Sequence, residues 1–181
     1  MRREAAIQLA TEAHAGQVRK NTTEPYVEHP KRVAAILEEA GFREEVIIAA
    51  ILHDIVEDTP VTIEQIRERF GDDVADIVAY HTEDKTLSWE ERKEHTISVV
   101  ETAPLEVKAL IIADKLDNLQ SLSRQYEEMG EAVWAAFKRG PEKQEWYNRS
   151  VAEAICNMKG APAFFGAYCR LVDDFFTKKL A

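Results

Sequence analysis

Apolar residues recur at spacings of three and four along nearly the whole chain, and no segment alternates polar with apolar over strand length. That periodicity predicts an all-α fold, a compact bundle of roughly eight to ten helices. Punctuation along the chain agrees with it. Pro30, Pro104, Pro141 and Pro162 stand where helices would open, and Gly41, Gly71 and Gly160 where they would end. Thr62-Ile63-Glu64-Gln65 and Ser88-Trp89-Glu90-Glu91 read as capping boxes. The first helix is expected over roughly 3–18, the second from Pro30 to Gly41, and the third over roughly 44–57. A polar loop spans 19–28. Pro104 would open a long helix containing VKALIIADKLDNLQSL, and two more helices follow Pro141 and Pro162. No biased linker or internal repeat divides the 181 residues, so one domain over 1–181 is expected.

The third helix carries the strongest chemical signal. The apolar run Val46–Leu52 ends in His53-Asp54-Ile55-Val56-Glu57-Asp58. If the helix continues, His53 shares a face with Glu57, and Asp54 with Asp58. One imidazole and three carboxyl groups in a single patch need a metal, shared protons or open water. His29 before Pro30, and Asp114 within LIIADKLDNL, are further candidate ligands. Asn118 lies one turn beyond Asp114, and Ser121 one turn beyond that. His29, His53, Asp54 and Asp114 make a mixed nitrogen and oxygen set. It suits Mn²⁺, Fe²⁺, Co²⁺ or Zn²⁺ better than Ca²⁺ or Mg²⁺. Such a cation polarises a phosphoryl oxygen and activates water, which points to hydrolysis. His14, His81 and His95 are read as core or surface histidines.

Composition removes other classes. The formal net charge is −10, which argues against a general nucleic-acid binder but leaves room for an anionic small substrate held by a local basic cluster. Neither phosphate-cradling loop, GxGxxG or GxxxxGK[ST], is present, nor is GxSxG. Cys156 and Cys169 form no CxxC pair and read as small buried unpaired residues in a reducing cytoplasm. The start, MRREAAIQLA, has no apolar stretch of signal-peptide type, and Val46–Leu52 is too short to span a bilayer. A cytoplasmic protein away from membranes is expected. Of Trp89, Trp134 and Trp146, most are expected in the core.

Four segments together resemble a known family. AHAGQVRKNTTEPYVEHPKRVAAIL, AAILHDIVEDT, FGDDVADIVAYHTEDKTLSWEERK and IIADKLDNLQSL, covering residues 5–125, are similar to the HD-superfamily alarmone hydrolases. These comprise the hydrolase domain of the RelA/SpoT-like proteins and small stand-alone enzymes, which KRGPEKQEWYNRSVAEAI also resembles. The resemblance implies metal ligands at His29, His53, Asp54 and Asp114, with Mn²⁺ the usual metal. It implies that Glu57 and Asp58 orient water and move its proton. It places Arg19, Lys20, Tyr26, Asn118 and Ser121 on a nucleotide, with Lys85, Arg92 and Lys93 as further phosphate candidates.

The implied reaction removes the 3′-pyrophosphate of guanosine 3′,5′-bis(diphosphate) or its pentaphosphate relative, leaving GDP or GTP. Two other readings stand beside it: the same chemistry on another nucleotide, such as an adenine alarmone or the 2′-phosphate of NADPH, and a nucleotide-binding module without turnover. The loop between Arg19 and His29 is slightly longer than in the long enzymes and lacks their glycine. Asp117 stands where they commonly have His. Both departures are expected beside the nucleotide, and a small basic mouth is expected on an acidic body.

Overall fold

The computed structural model describes residues 1–179, and the elements within them are helical, with one isolated antiparallel bridge between Val18 and Pro25. They are α1 (Arg2–Ala13), α2 (Glu28–Glu39), α3 (Glu44–Leu52), α4 (Ile55–Asp58), α5 (Ile63–Phe70) and α6 (Asp72–His81). There follow α7 (Trp89–Thr102), α8 (Leu105–Met129), a 3₁₀ segment (Gly130–Ala136), α9 (Pro141–Ile155), α10 (Ala163–Asp173) and a π-helical end (Asp174–Lys179). No helix among the described residues is long and apolar enough to cross a membrane.

Two helices organise the core. Every residue of α3 from Val46 to Leu52 is buried, because α1, α2, α6 and α8 pack around it. A helix surrounded in this way can be apolar on all sides. The 25-residue α8 receives α2, α6, α7, α10 and the 3₁₀ segment along its length. Both expected capping boxes form. Thr62 accepts from the Gln65 N–H and Ser88 from the Glu91 N–H, while the Gln65 and Glu91 side chains accept from the Thr62 and Ser88 N–H groups.

Three helix boundaries differ from expectation. The first helix stops at Ala13, and the chain folds into a loop closed by Arg19 N–H to Glu24 O (3.0 Å) and Tyr26 N–H to Gln17 O (2.9 Å). Asn21, in the left-handed region at φ 58°, anchors this loop by donating to Gln125 Oε1 and to the Val133 carbonyl. The second helix opens at Glu28, so His29 and Pro30 both lie in its first turn, where a missing N–H costs nothing. The expected third helix breaks at His53-Asp54. The His53 ring takes the Ala50 carbonyl at 2.7 Å, the acceptor that a continuing helix would offer to the Asp54 N–H. The chain resumes as the single turn α4. His53 is therefore fully buried while Glu57 lines an open cleft, and the two do not share a helix face as expected.

The cysteine expectation is also overturned. Cys156 caps the end of α9, Cys169 lies on α10, and the two form a disulfide across a Cα–Cα distance of 6.2 Å. Folding α10 back on α9 brings them together, which their separation of 13 residues does not reveal. Closing a loop of that length contributes about 3 kcal/mol by restricting the unfolded chain. Reduction is expected to lower the melting temperature by about 10 °C. Thermal melts with and without reductant, against a Cys156→Ser/Cys169→Ser variant, check this; identical melts would show that the bond adds nothing. Trp134 is buried, whereas Trp89 and Trp146 are half-buried and pack their rings 6.2 Å apart against the core.

Candidate functional site

Three elements converge at the centre of the bundle. The first turn of α2 supplies His29, the α3–α4 break supplies His53 and Asp54, and the middle of α8 supplies Asp114. His29 Nε2 lies 3.0 Å from Asp114 Oδ1 and 3.7 Å from Asp54 Oδ2. His53 Nε2 lies 3.2 Å from Asp54 Oδ2 and 3.7 Å from Asp114 Oδ1. Both imidazoles and Asp114 are buried.

The outer nitrogens explain how the inner ones point. His53 Nδ1 meets a carbonyl oxygen, which can only accept, so that nitrogen carries the proton and Nε2 turns inward. His53 Nε2 is buried without a hydrogen-bond partner. His29 Nδ1 lies 2.7 Å from Asp117 Oδ2, so it donates there and its Nε2 also faces the centre. Asp117 accepts from Arg32 Nε at 2.7 Å, and Arg32 in turn grips both oxygens of Glu24. A histidine oriented by a carboxylate behind it is the usual support for a metal ligand. Two imidazole nitrogens and two carboxylates within 3.0–3.7 Å across each His–Asp pair fit a divalent transition metal.

Electrostatics show the same demand for positive charge. Burial opposes a charged His53, but the Asp54 and Asp114 carboxylates outweigh it and hold the imidazole well above its ordinary value. Burial would raise Asp114, yet Lys115, 2.8 Å away, and then the His29 imidazole hydrogen-bonded to it and the nearby His53 keep it well below the carboxylate range. Asp54 is likewise lowered against burial, chiefly by His53, and accepts the Tyr26 hydroxyl proton at 2.7 Å.

A cleft of about 790 Å³ opens over this centre. Asp54 and Asp114 lie on its floor, and Glu57, Asp58, Arg19, Lys20, Tyr26, Asn118 and Ser121 line it, while His29 and His53 lie beneath. Arg19 donates to Asn118 Oδ1 at 2.6 Å, and Asn118 donates to Asp114 Oδ1 at 2.6 Å. The Arg19 guanidinium also sits 5.5 Å from the Tyr26 ring centre. Lys20 lies over Phe137, and Ser121 accepts from Gln125, which also holds the Lys20 carbonyl. Glu57 is raised to about 6, by burial first and then by Glu83, Asp54 and Asp58. Asp58 pairs with Lys85 at 2.9 Å. Arg92 and Lys93 line the cleft but are tied to Glu83. With Lys115 and Lys138, the cationic side chains outnumber the acidic ones around the cleft, despite the acidic chain.

Two residues stand elsewhere than expected, and a third, Lys115, was not singled out from the sequence. Asp117 does not line the cleft; it is buried behind His29. Lys115, half-buried at the cleft, pairs with Asp114, and its position within an apolar helical stretch was the signal that could have found it. His81, read from sequence as core or surface, lines the cleft beside the centre, its ring 4.6 Å from that of His53. Burial and the His53 charge lower it to about 3, so it is neutral. His14 stacks on Tyr26 in the interior and His95 is exposed, as expected of core and surface histidines.

The chain is similar to known proteins in sequence and fold. The HD domain family model matches residues 6–140. The guanosine-3′,5′-bis(diphosphate) 3′-pyrophosphohydrolase MESH1 of Xenopus tropicalis is 43% identical over 122 residues, 66% of this chain and 68% of that protein. The crystal structure of lmo0812 from Listeria monocytogenes EGD-e superposes with a TM-score of 0.79 at 54% identity, covering 83% of this chain and 99% of that one. A metazoan ortholog of SpoT, which hydrolyzes ppGpp and plays a role in starvation responses, superposes with a TM-score of 0.78 at 30% identity, covering 99% and 97% of the two chains.

Proposed function

The chain belongs to the HD domain family, and from that premise we propose that residues 1–181 act as one metal-dependent phosphohydrolase domain. Its reaction removes the 3′-pyrophosphate from guanosine 3′,5′-bis(diphosphate) or the pentaphosphate, releasing GDP or GTP. The observation that carries this reading is the buried convergence of two imidazoles and two carboxylates beneath a cleft with cationic walls. Two of the relatives named above, MESH1 of Xenopus tropicalis and the metazoan ortholog of SpoT, are named for hydrolysis of this nucleotide.

His29, His53, Asp54 and Asp114 hold the cation, which we propose is Mn²⁺. When bound, it polarises the phosphoryl oxygen and neutralises charge that develops there. Arg19 stacks its guanidinium on the purine, and Lys20 meets a phosphate. Asn118 and Ser121, with Tyr26, line the nucleotide's path. Water attacks the phosphorus on the 3′ oxygen, the bond from that phosphorus to the 3′ oxygen breaks, and pyrophosphate leaves with the new oxygen. Glu57, with Asp58 beside it, accepts the water's proton, and the ribose 3′ oxygen gains one. A carboxyl raised to about 6 is basic enough to accept a proton yet ionised at neutral pH. A binding module would have no use for such a group.

The test is release of pyrophosphate and GDP from guanosine 3′,5′-bis(diphosphate) in Mn²⁺, with none after EDTA treatment. No turnover by folded, metal-loaded protein rejects this substrate. The proton role is checked separately. Because the base form of Glu57 is lost as pH falls through its own value, the rate should fall on the acid side. A bound cation only lowers that value, so this limb lies at or below about 6. Glu57→Gln should lower kcat by about 10²- to 10⁴-fold and remove the limb. An unchanged profile would move the proton to another group.

A further inference from the structure

His81 has no part in the reaction derived above, yet its position is hard to explain as packing. It closes α6 and presents its ring to the centre at a side-chain exposure of 9%. Its Nδ1 is buried without a hydrogen-bond partner, a cost that an apolar residue of similar size would avoid. Its Nε2 lies 3.7 Å from Asp114 Oδ2, and its ring meets that of His53 edge to face at 4.6 Å. His53, Asp54 and His81 each offer a ligand atom within 4.8 Å of the others, a set that overlaps His29, His53 and Asp114 at His53.

We propose that His81 is a fifth protein ligand, joining His29, His53, Asp54 and Asp114 around one divalent cation. This rests on the metal reading given above. A third imidazole makes the shell richer in nitrogen, so it strengthens the hold on Mn²⁺ and strengthens that on Co²⁺, which takes nitrogen ligands more readily, by more. It also leaves fewer positions for water and substrate. Through His81 the cation ties α6 to α2, α3 and α8, so the wall of the cleft that carries Tyr80 and His81 is fastened to its floor.

The test measures binding of Co²⁺ and Mn²⁺ alone to the full chain by equilibrium dialysis, with the visible absorption of the Co²⁺ form. Wild type, His81→Ala, His81→Gln and Asp54→Ala are compared, each after its circular dichroism matches wild type. His81→Gln preserves bulk should His81→Ala fail to fold. Both His81 variants should bind Co²⁺ about 10- to 100-fold more weakly, lose less for Mn²⁺, and shift the Co²⁺ absorption band. Unchanged Co²⁺ affinity and spectrum in the His81 variants, with binding weakened in Asp54→Ala, would overturn the fifth ligand and leave the metal centre standing. The same holds if turnover falls while affinity and spectrum stay put, since His81 would then act on substrate. Wild type that binds neither metal would overturn both.

Discussion

Asp54→Ala is expected to abolish pyrophosphate release, by about 10⁴-fold or more, while the helical fold persists. A bound cation contributes several kcal/mol to stabilising the charge that develops at phosphorus, and about 5 kcal/mol corresponds to about 10⁴ in rate. Asp54 faces both imidazoles, 3.2 Å from His53 Nε2 and 3.7 Å from His29 Nε2, so its loss removes the carboxylate that both face, which is proposed above as a ligand. The fold should tolerate this because Asp54 sits at the α3–α4 break rather than within the apolar core. Tyr26 loses its acceptor, but it lines the cleft, where water can take the hydroxyl proton. Turnover at saturating Mn²⁺, metal content and a thermal melt on one preparation decide the matter. Unfolding would make the metal structural, and full activity would remove Asp54 from the site.

Asp117→Asn is expected to weaken metal binding by about 10- to 100-fold although Asp117 touches no reacting atom. Asp117 Oδ1 accepts from Arg32 Nε, and Oδ2 accepts from His29 Nδ1 and from Arg32 Nη2. Every group facing this carboxylate is a donor. An amide must turn its NH₂ toward one of them, leaving two donors opposed in a buried site. Either His29 loses the support that turns Nε2 inward, or Arg32 keeps only Glu24. A Mn²⁺ titration of the folded variant measures this. Wild-type affinity would mean that packing alone orients His29. The resemblance to the alarmone hydrolases leads one to expect His at 117, and the structure shows why Asp serves: it accepts from His29 and Arg32 at once.

Much of this protein can be read locally. The spacing of apolar residues predicts helices, and Thr62-Gln65 and Ser88-Glu91 cap them because a capping box needs only four consecutive residues. Candidate ligands are legible in type and order, since imidazoles and carboxylates inside apolar stretches must be compensated. What the residues next in sequence cannot show is which way a side chain turns once the helices pack. The break after Leu52 depends on the His53 ring taking the Ala50 carbonyl. Asp117, three residues from Asp114 on α8, turns away from the cleft toward His29 and Arg32 on α2. Cys156 and Cys169 meet because α10 folds back on α9.

The sequence by itself therefore determined the helical class, most helix starts and the chemical types gathered at the centre, because these follow from short-range periodicity and the cost of burying charge. The tertiary structure alone decided that His81 stands beside His53, that the Lys115 ammonium lies over the Tyr147 ring, and that Glu57 is raised to about 6. Each of these depends on charges and ring edges brought within a few ångströms from distant parts of the chain. Distance and burial, rather than residue type, set how strongly such groups act on one another.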